Sequence, residues 1–349
     1  MSQLIKNQII AKAKELGFDL IGFSAPKINK NSIEKMQKYI AEERYGDMEY
    51  MKEHFEKRTN PKKLWEDVET IICLGVNYYN NSQDKPDENI GVFSNYAYGG
   101  DYHKHVKKML KRLGLWMMSE FDNCEVKFFT DTAPILEKAL AFQSGIGWQA
   151  KNSLITSTKI GNHFFLGEVL TNIKIEPDSP LTKNHCGSCE KCKIKCPTNA
   201  LDNDFKLDVQ KCLSYWTIEH KGIIPDGIKE KMGNKIYGCD NCLTVCPWNK
   251  FAKITNKEFF KPRCEYLNKP LSYFANLSDN EFRELFAGTA IKRIGLNRFL
   301  RNVLIAMGNS KNKEYVKILQ NFITHEDEII NDASKWALEK LENDRKITN

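Results

Sequence analysis

The chain has 349 residues, enough to bury a sizeable core and to divide into two or three domains. Its formal charge of +7, from 52 Lys and Arg against 45 Asp and Glu, is modestly basic and admits a polyanionic partner without requiring one. No stretch approaches the roughly 18 consecutive apolar residues of a membrane span, and the opening MSQLIKNQIIAKAKELG lacks a signal-peptide pattern, so a cytoplasmic, membrane-free protein with reduced thiols is expected.

Residues 1–17 carry Leu4, Ile9, Ile10 and Leu16 among polar neighbours and stop at Gly17, which predicts an amphipathic helix. FDLIGFSA then predicts a strand, residues 33–56 a helix broken at YGDMEYM, and VETIICLGVNYY a buried strand with Cys73 as a core cysteine. In GVFSNYAYGGDYHKHVKKMLKRLGLWM, paired glycines among Tyr96, Tyr98 and Tyr102 suggest backbone brought close to a flat ligand. The helix that follows, with His103, His105, Lys107, Lys108, Lys111 and Arg112, has the composition of a solvated face. VKFFTDTAP and a helix from Ile135 to Gly145 complete another strand-helix unit, so the pattern to this point is α/β. Between 145 and 172, glycines, Trp148, Lys151 and Asn152 precede two apolar segments separated by Gly161 and Asn162, which predicts a hairpin with a ligand-handling first loop.

Eight of the eleven cysteines fall between 186 and 246. Cys186, Cys189, Cys192 and Cys196 have the C-x2-C-x2-C-x3-C-P run of a bacterial ferredoxin, whose fourth thiolate reaches a second cluster. Cys239, Cys242 and Cys246 repeat part of it, and Cys212 completes a set of eight. The crossing pattern assigns Cys186, Cys189, Cys192 and Cys246 to one 4Fe-4S cluster and Cys196, Cys212, Cys239 and Cys242 to the other. Structural zinc is the alternative, but its sites usually use separated cysteine pairs. Beyond an irregular connector, residues 280–288, 289–307, 312–323 and 325–341 read as successive short helices resembling a repeat array. Lys292, Arg293, Arg298 and Arg301 offer a phosphate-facing edge or an ordinary charged helix face.

Electron-carrying clusters between a long α/β region and a helical tail imply a reductase with a second redox centre. Flavin and a corrinoid both remain open, while no GxGxxG follows a strand to support a nicotinamide. Asp131, at a strand end beside the glycine-rich loops, can serve as an acid that stays protonated near neutral pH if partly buried, or as a helix cap or Asx turn in DTAP.

Taken together, NYAYGGDYH (95–103), FTDTAPILEKALAFQSGIGWQAKNSLI (129–155), the two cysteine motifs, LSYWTIEHKGIIP (213–225), CPWNKF (246–251) and GTAIKRIGLNRFLRNVLIAMGN (288–309) resemble the epoxyqueuosine reductase family over nearly the full length. The resemblance implies an α+β multidomain protein: an N-terminal α/β cobalamin-binding domain (1–175), a ferredoxin-like dicluster domain (176–265) and C-terminal HEAT-like helical repeats (266–349). It implies an oxidoreductase that converts epoxyqueuosine to queuosine at wobble position 34 of tRNA, with cob(I)alamin attacking the epoxide, two 4Fe-4S clusters supplying electrons and Asp131 the proton. Arg58, Tyr98 (through its backbone more than its ring), Asp131, Lys151, Asn152, Ile155 and Leu166 match the family's corrin cradle. Ser214, Tyr215, Thr217, Glu219, His220 and Lys221 match its tRNA contacts. The implied partners are a tRNA with a queuosine-type anticodon and an external electron donor, and nothing demands more than a monomer.

Overall fold

The computed structural model describes residues 2–82, 87–181, 183–202 and 205–347. Its main sheet has four strands, β1 (Leu20–Ser24), β2 (Thr70–Asn77), β3 (Val126–Phe129) and β4 (Phe164–Thr171), in the order β1-β2-β4-β3 with every pair antiparallel. The alternation of strands and helices therefore builds an α+β layer rather than a parallel α/β sheet. All eight residues of β2 are buried, as a central strand covered on both faces requires.

One face packs against α1 (Ser2–Glu15) and α2 (Tyr102–Glu120), where Ile72, Leu74 and Val76 meet Ile9, Ala13, Val106, Leu110 and Leu113. The buried positions of α2 recur at helical spacing, which leaves Lys104, Lys107, Lys108 and Lys111 in solvent. Burying a leucine such as Leu110 contributes about 1.5–3 kcal/mol. Gly167 lets this helix approach β4, because an added Cβ would stand 2.9 Å from Leu110 Cδ1. The other face takes α3 (Glu137–Gln143), whose Leu140 and Ala141 pack against Ile71, Cys73 and Leu170.

Two expectations change here. The segments flanking Gly161 do not form a hairpin: they meet only at the Ser157–Gly161 bridge, and β4 inserts instead between β2 and β3, where both its edges are paired. Ile155–Thr156 pairs with Trp148–Gln149, so the turn that closes is the Lys151–Leu154 loop. Asp131 also caps no helix, since α3 begins six positions later with Leu136 at its N-cap.

A second core joins residues 93–98 to the segments around α4 (Leu213–Ile218), α5 (Gly295–Asn309) and α6 (Glu328–Ile347), through Phe93, Tyr98, Leu213, Tyr266, Phe286, Phe299, Val303 and Leu341. The tail thus closes directly over the YAYGGDYH segment. Gly308 brings α5 and α6 together, because a Cβ there would stand 2.8 Å from Ala337.

Candidate active site

Asp131 follows β3 in a left-handed conformation, φ +57°, which costs a non-glycine residue about 1 kcal/mol and must be held by its surroundings. Three contacts hold it. Its Oδ2 accepts from Tyr102 Oη at 2.7 Å and lies 2.6 Å from His103 Nε2, while its backbone N–H donates to Glu137 Oε1 at 2.6 Å. The two side-chain partners sit in the first turn of α2, whose N-cap Asp101 accepts from the His103 N–H and lies 2.7 Å from His103 Nδ1. From the tail, Arg293 Nη2 donates to Asp101 Oδ2 at 3.0 Å, and Nη1 stands 3.3 Å from His103 Nε2.

These contacts place the proton. Burial alone would lower the His103 imidazole, but hydrogen bonds to Asp101 and Asp131 prevail and raise it above its ordinary range. For Asp131, burial pushes upward and is outweighed by hydrogen bonds from His103 and Tyr102, so its carboxyl falls below the usual value. Asp101 is likewise carried down to about 2, as contacts with His103 and Arg293 overcome desolvation. Asp131 is therefore a carboxylate near neutrality, contrary to the expectation of a resident carboxylic acid; its side chain is 52% exposed and well partnered, so burial does not protonate it. The sequence reading took His103 for part of a solvated face. The missed signal is the i, i+2 pair Asp101 and His103 at a helix start.

Thr130, the neighbour of Asp131, ties its Oγ1 to the Leu166 carbonyl, and half-buried Leu166 and buried Ile155 share one apolar cluster, the floor of this region. The fold leaves several buried polar atoms unsatisfied: Arg58 Nε, Thr156 Oγ1, both amide atoms of Asn162, and His163 Nδ1 lack hydrogen-bond partners among the described residues. Each such group costs about 1–3 kcal/mol if left unpaired. Unpaired buried donors and acceptors, with the apolar surface of Ile155 and Leu166, fit a large cofactor fringed with amides.

The expected cradle residues divide. Arg58 is buried, donates to the Tyr50 carbonyl at 3.3 Å and pairs with no surface carboxylate among the described residues. Asn152 Nδ2 reaches the Cys242 carbonyl at 3.3 Å. Lys151 spends its ammonium on Gly187 O at 2.8 Å and Cys189 O at 3.0 Å, lacing the loop to the cysteine region. The Tyr98 ring is buried in the tail core, stacked on Tyr266 at 13°, and does not join the group around Asp131.

The cysteines gather as two groups. Cys246 lies in the field of Cys186, Cys189 and Cys192, while Cys212, Cys239 and Cys242 lie together with Cys196. Burial pushes the Cys239 thiol to about 11 and Cys242 well up, so these residues need a bound cation to become thiolates. Trp148 Nε1 points at Cys186 Sγ at 3.5 Å and the Ala200 N–H at Cys196 Sγ at 3.3 Å, the kind of N–H···S contact that tunes a cluster's potential.

The candidate tRNA residues are less uniform than the sequence suggests. Thr217 is fully buried, bonded to the Leu213 carbonyl and accepting the Gly238 N–H, and Tyr215 is buried with its hydroxyl taking the Asp47 N–H. His220 is clamped between Asp47 Oδ2 at 2.6 Å and the Ile223 carbonyl. Ser214 is half-buried, and Glu219 and Lys221 are exposed. The basic edge of the tail is corrected too. Arg301 is 1% exposed and donates to the carbonyls of Trp216, His220 and Gly222; Arg298 bonds the carbonyls of Arg293, Ile294 and Ile218; Arg293 is exposed but engaged with Asp101 and His103, and Lys292 is exposed. These guanidiniums terminate α4 and its following loop because their fixed fork of donors matches a fan of carbonyls.

Two groups of four cysteines with the hydrogen-bonded Asp131 site and unpaired buried polar atoms in the same chain are the parts of an iron–sulfur reductase with a second, large redox cofactor. Residues 185–249 match the 4Fe-4S double cluster binding domain, and residues 58–132 match the epoxyqueuosine reductase QueG family. The chain is 36% identical over 343 residues to the epoxyqueuosine reductase of Vibrio cholerae, covering 97% of this chain and 92% of that one. It is 34% identical over 342 residues to that of Escherichia coli, covering 95% and 89%. Among solved structures, an epoxyqueuosine reductase with an epoxyqueuosine-modified tRNA-Tyr stem loop superposes with a TM-score of 0.89 at 30% identity, covering 98% of this chain and 91% of that one. The Bacillus subtilis enzyme, with its catalytic aspartate loop swung out of the active site, superposes at 0.87 and 30% identity with the same coverage. The chain belongs to the epoxyqueuosine reductase family. Its cofactors are two 4Fe-4S clusters and cobalamin.

Proposed function

We infer that this chain reduces epoxyqueuosine to queuosine at the wobble position of tRNA. The reaction takes two electrons and two protons, breaks both C–O bonds of the epoxide, forms the ring alkene and releases water. When bound, cobalamin supplies a strongly nucleophilic reduced cobalt centre, and the clusters supply electrons one at a time. Everything else falls to the protein. The observation that carries the reading is the Asp101–His103–Asp131 chain, which stores a proton on an imidazolium whose outer partner is half exposed.

Ring opening turns an ether oxygen into an alkoxide. Asp131, held over the apolar floor by Tyr102, passes the His103 proton to that oxygen; its low proton affinity makes it a conduit rather than a store. Arg58, Asn152, Ile155 and Leu166, with Thr156, Asn162 and His163, hold the cofactor, and Lys151 fixes the loop between cofactor and clusters. Cys186, Cys189, Cys192 and Cys246 ligate one cluster and Cys196, Cys212, Cys239 and Cys242 the other.

The chain works as three parts in sequence order: a cofactor-binding part over 1–175, a cluster part over 176–265 and a helical part over 266–349. The wobble base must leave its stack to reach the site, and Ser214, Glu219, Lys221 and Lys292 line its approach. The electron donor is an acidic carrier that meets the first cysteine run, where exposed Lys191, Ile194 and Lys195 surround Cys192. Among the described residues no helix is long and apolar enough to cross a membrane.

Anaerobic reconstitution with iron, sulfide and cobalamin, followed by nucleoside mass analysis of epoxyqueuosine tRNA, tests the reading. Queuosine should appear with release of water. Full cofactor loading without conversion overturns it.

A further inference from the structure

Beneath the Asp131 loop lies a second acidic pair that the reaction as described does not use. Glu168 sits in the middle of β4, with no exposed surface, opposite Cys73 on β2 and Phe129 on β3. Among the described residues no donor outside this pair reaches either of its carboxyl oxygens, and the carboxyl beside it belongs to Glu137, at the start of α3. Glu137 in turn accepts the Asp131 N–H. Glu168 has no exposed surface and Glu137 is half-buried, so two charged carboxylates side by side would repel one another with little solvation to offset it, and the pair keeps a proton.

We propose that Glu168 is a neutral carboxylic acid whose proton is shared with Glu137, and that Glu137, thereby kept as the acceptor of the Asp131 N–H, is the positioning residue that latches the Asp131 loop over the site. The surroundings decide which partner carries the proton. Glu137 has the backbone donor and stands in the field of Lys138 on its own helix and of Arg58 on the segment Phe55–Thr59. The titratable groups whose fields meet Glu168 among the described residues are Cys73, Glu137 and Asp131, none of them a cation. Lys138, on the exposed side of its helix, donates its ammonium to the Ser153 carbonyl, and His103, Arg293, Tyr102, Tyr50 and Glu219 are further charged or titratable groups around Asp131. Burial and the Glu137 carboxyl push Glu168 well above the ordinary carboxyl range, while burial and the Asp131 charge push Glu137 to about 7 against the pull of the Asp131 N–H and of the hydrogen bond with Glu168.

The latch has a purpose in the left-handed turn at Asp131. With the N–H anchored to Glu137, the side chain is aimed at Tyr102 and His103; without it, the conformation loses its main-chain support. The Bacillus subtilis relative, whose catalytic aspartate loop is swung out, shows that such a loop has somewhere else to go. The inference rests on Asp131 being the proton-transfer residue.

Infrared difference spectra of the apo-protein and pH–rate profiles of the reconstituted enzyme test it together. Wild type should show the C=O stretch of a protonated, slowly exchanging carboxyl at pH 7–8. Glu168→Gln, which replaces the proton by an amide N–H, should lose that band and keep kcat. Glu137→Ala, which removes the acceptor of the Asp131 N–H, should keep the band but lower kcat about 10- to 100-fold with KM for tRNA unchanged. Absence of the band from wild type, or its persistence in Glu168→Gln, overturns the proposal, as does wild-type kcat and an unaltered pH profile in Glu137→Ala. If Glu168→Gln does not fold, the wild-type band and Glu137→Ala decide. An active Asp131→Asn variant would remove the Asp131 reading while leaving the band, so the two failures are distinguishable.

Discussion

His103 Nε2 stands 2.6 Å from Asp131 Oδ2, and across the ring Nδ1 stands 2.7 Å from Asp101 Oδ1. An imidazole with a carboxylate at each nitrogen is most stable doubly protonated, because both ring N–H groups then donate to charged acceptors. The proton chemistry of the site is thus centred one residue away from the acid that the sequence singles out.

Asp131→Asn should lower kcat by about 100- to 1,000-fold, the scale of a lost general acid, with cobalamin absorption and cluster content unchanged. The fold should tolerate it, since Asn adopts the left-handed conformation as readily as Asp and can still accept from Tyr102. Near-normal single-turnover rates would remove Asp131 from proton transfer.

The pH dependence follows from His103. Its folded-state pKa is raised above the ordinary 6.5, so the proton is fully present below that value and is lost as pH rises through the folded one. kcat should therefore be flat at low pH and fall on the alkaline side. His103→Gln should be slow at every pH and lose that limb. Arg293→Ala removes the like charge beside Nε2 and a donor to Asp101, so it should move the limb to higher pH; an unmoved limb in both variants would assign it to another group.

The crossing of the cysteine motifs is open to a paired test. Cys246→Ala should leave the cluster of Cys196, Cys212, Cys239 and Cys242 intact, and Cys196→Ala the other, so each variant should hold about half the wild-type iron. Two variants with identical residual electron paramagnetic resonance spectra would contradict the assignment.

Much of this was legible from residue type and spacing. The cysteine runs are constrained by ligand chemistry, and β2 and α2 by periodicity, so their places follow from local sequence. Asp131 was visible as a strand-end acid. What was not legible came from contacts across large sequence separations: His103 with Asp131, Arg293 with Asp101, and Glu137 beside Glu168. Glu168 in particular reads as the polar member of the strand FFLGEVL, and only the antiparallel insertion of β4 between β2 and β3 buries it. Arg298 and Arg301 misled for the same reason, because a guanidinium that binds carbonyls and one that binds phosphate look alike in sequence.

Separating those two roles gives the last prediction. Arg301 is buried and donates to Trp216 O at 2.8 Å and to Gly222 O as well as His220 O, so Arg301→Met would strand several carbonyls that end α4. At about 1–3 kcal/mol for each buried group left unpaired, the loss is a substantial part of a domain's stability, and the melting temperature should drop. tRNA affinity measured on the folded fraction should fall little and keep its salt dependence, since this guanidinium faces no solvent. Lys221→Ala with Lys292→Ala should do the reverse, leaving the unfolding free energy within about 0.5 kcal/mol of wild type, and the melting temperature nearly unmoved, as exposed substitutions do. That pair should weaken tRNA binding and flatten its fall with ionic strength, by close to one unit of log–log slope for each phosphate contact removed. If the salt slope is instead lost in Arg301→Met and kept in the lysine pair, the tail reads phosphate through its core-facing arginines, and the division of labour drawn from the burial of these side chains is wrong.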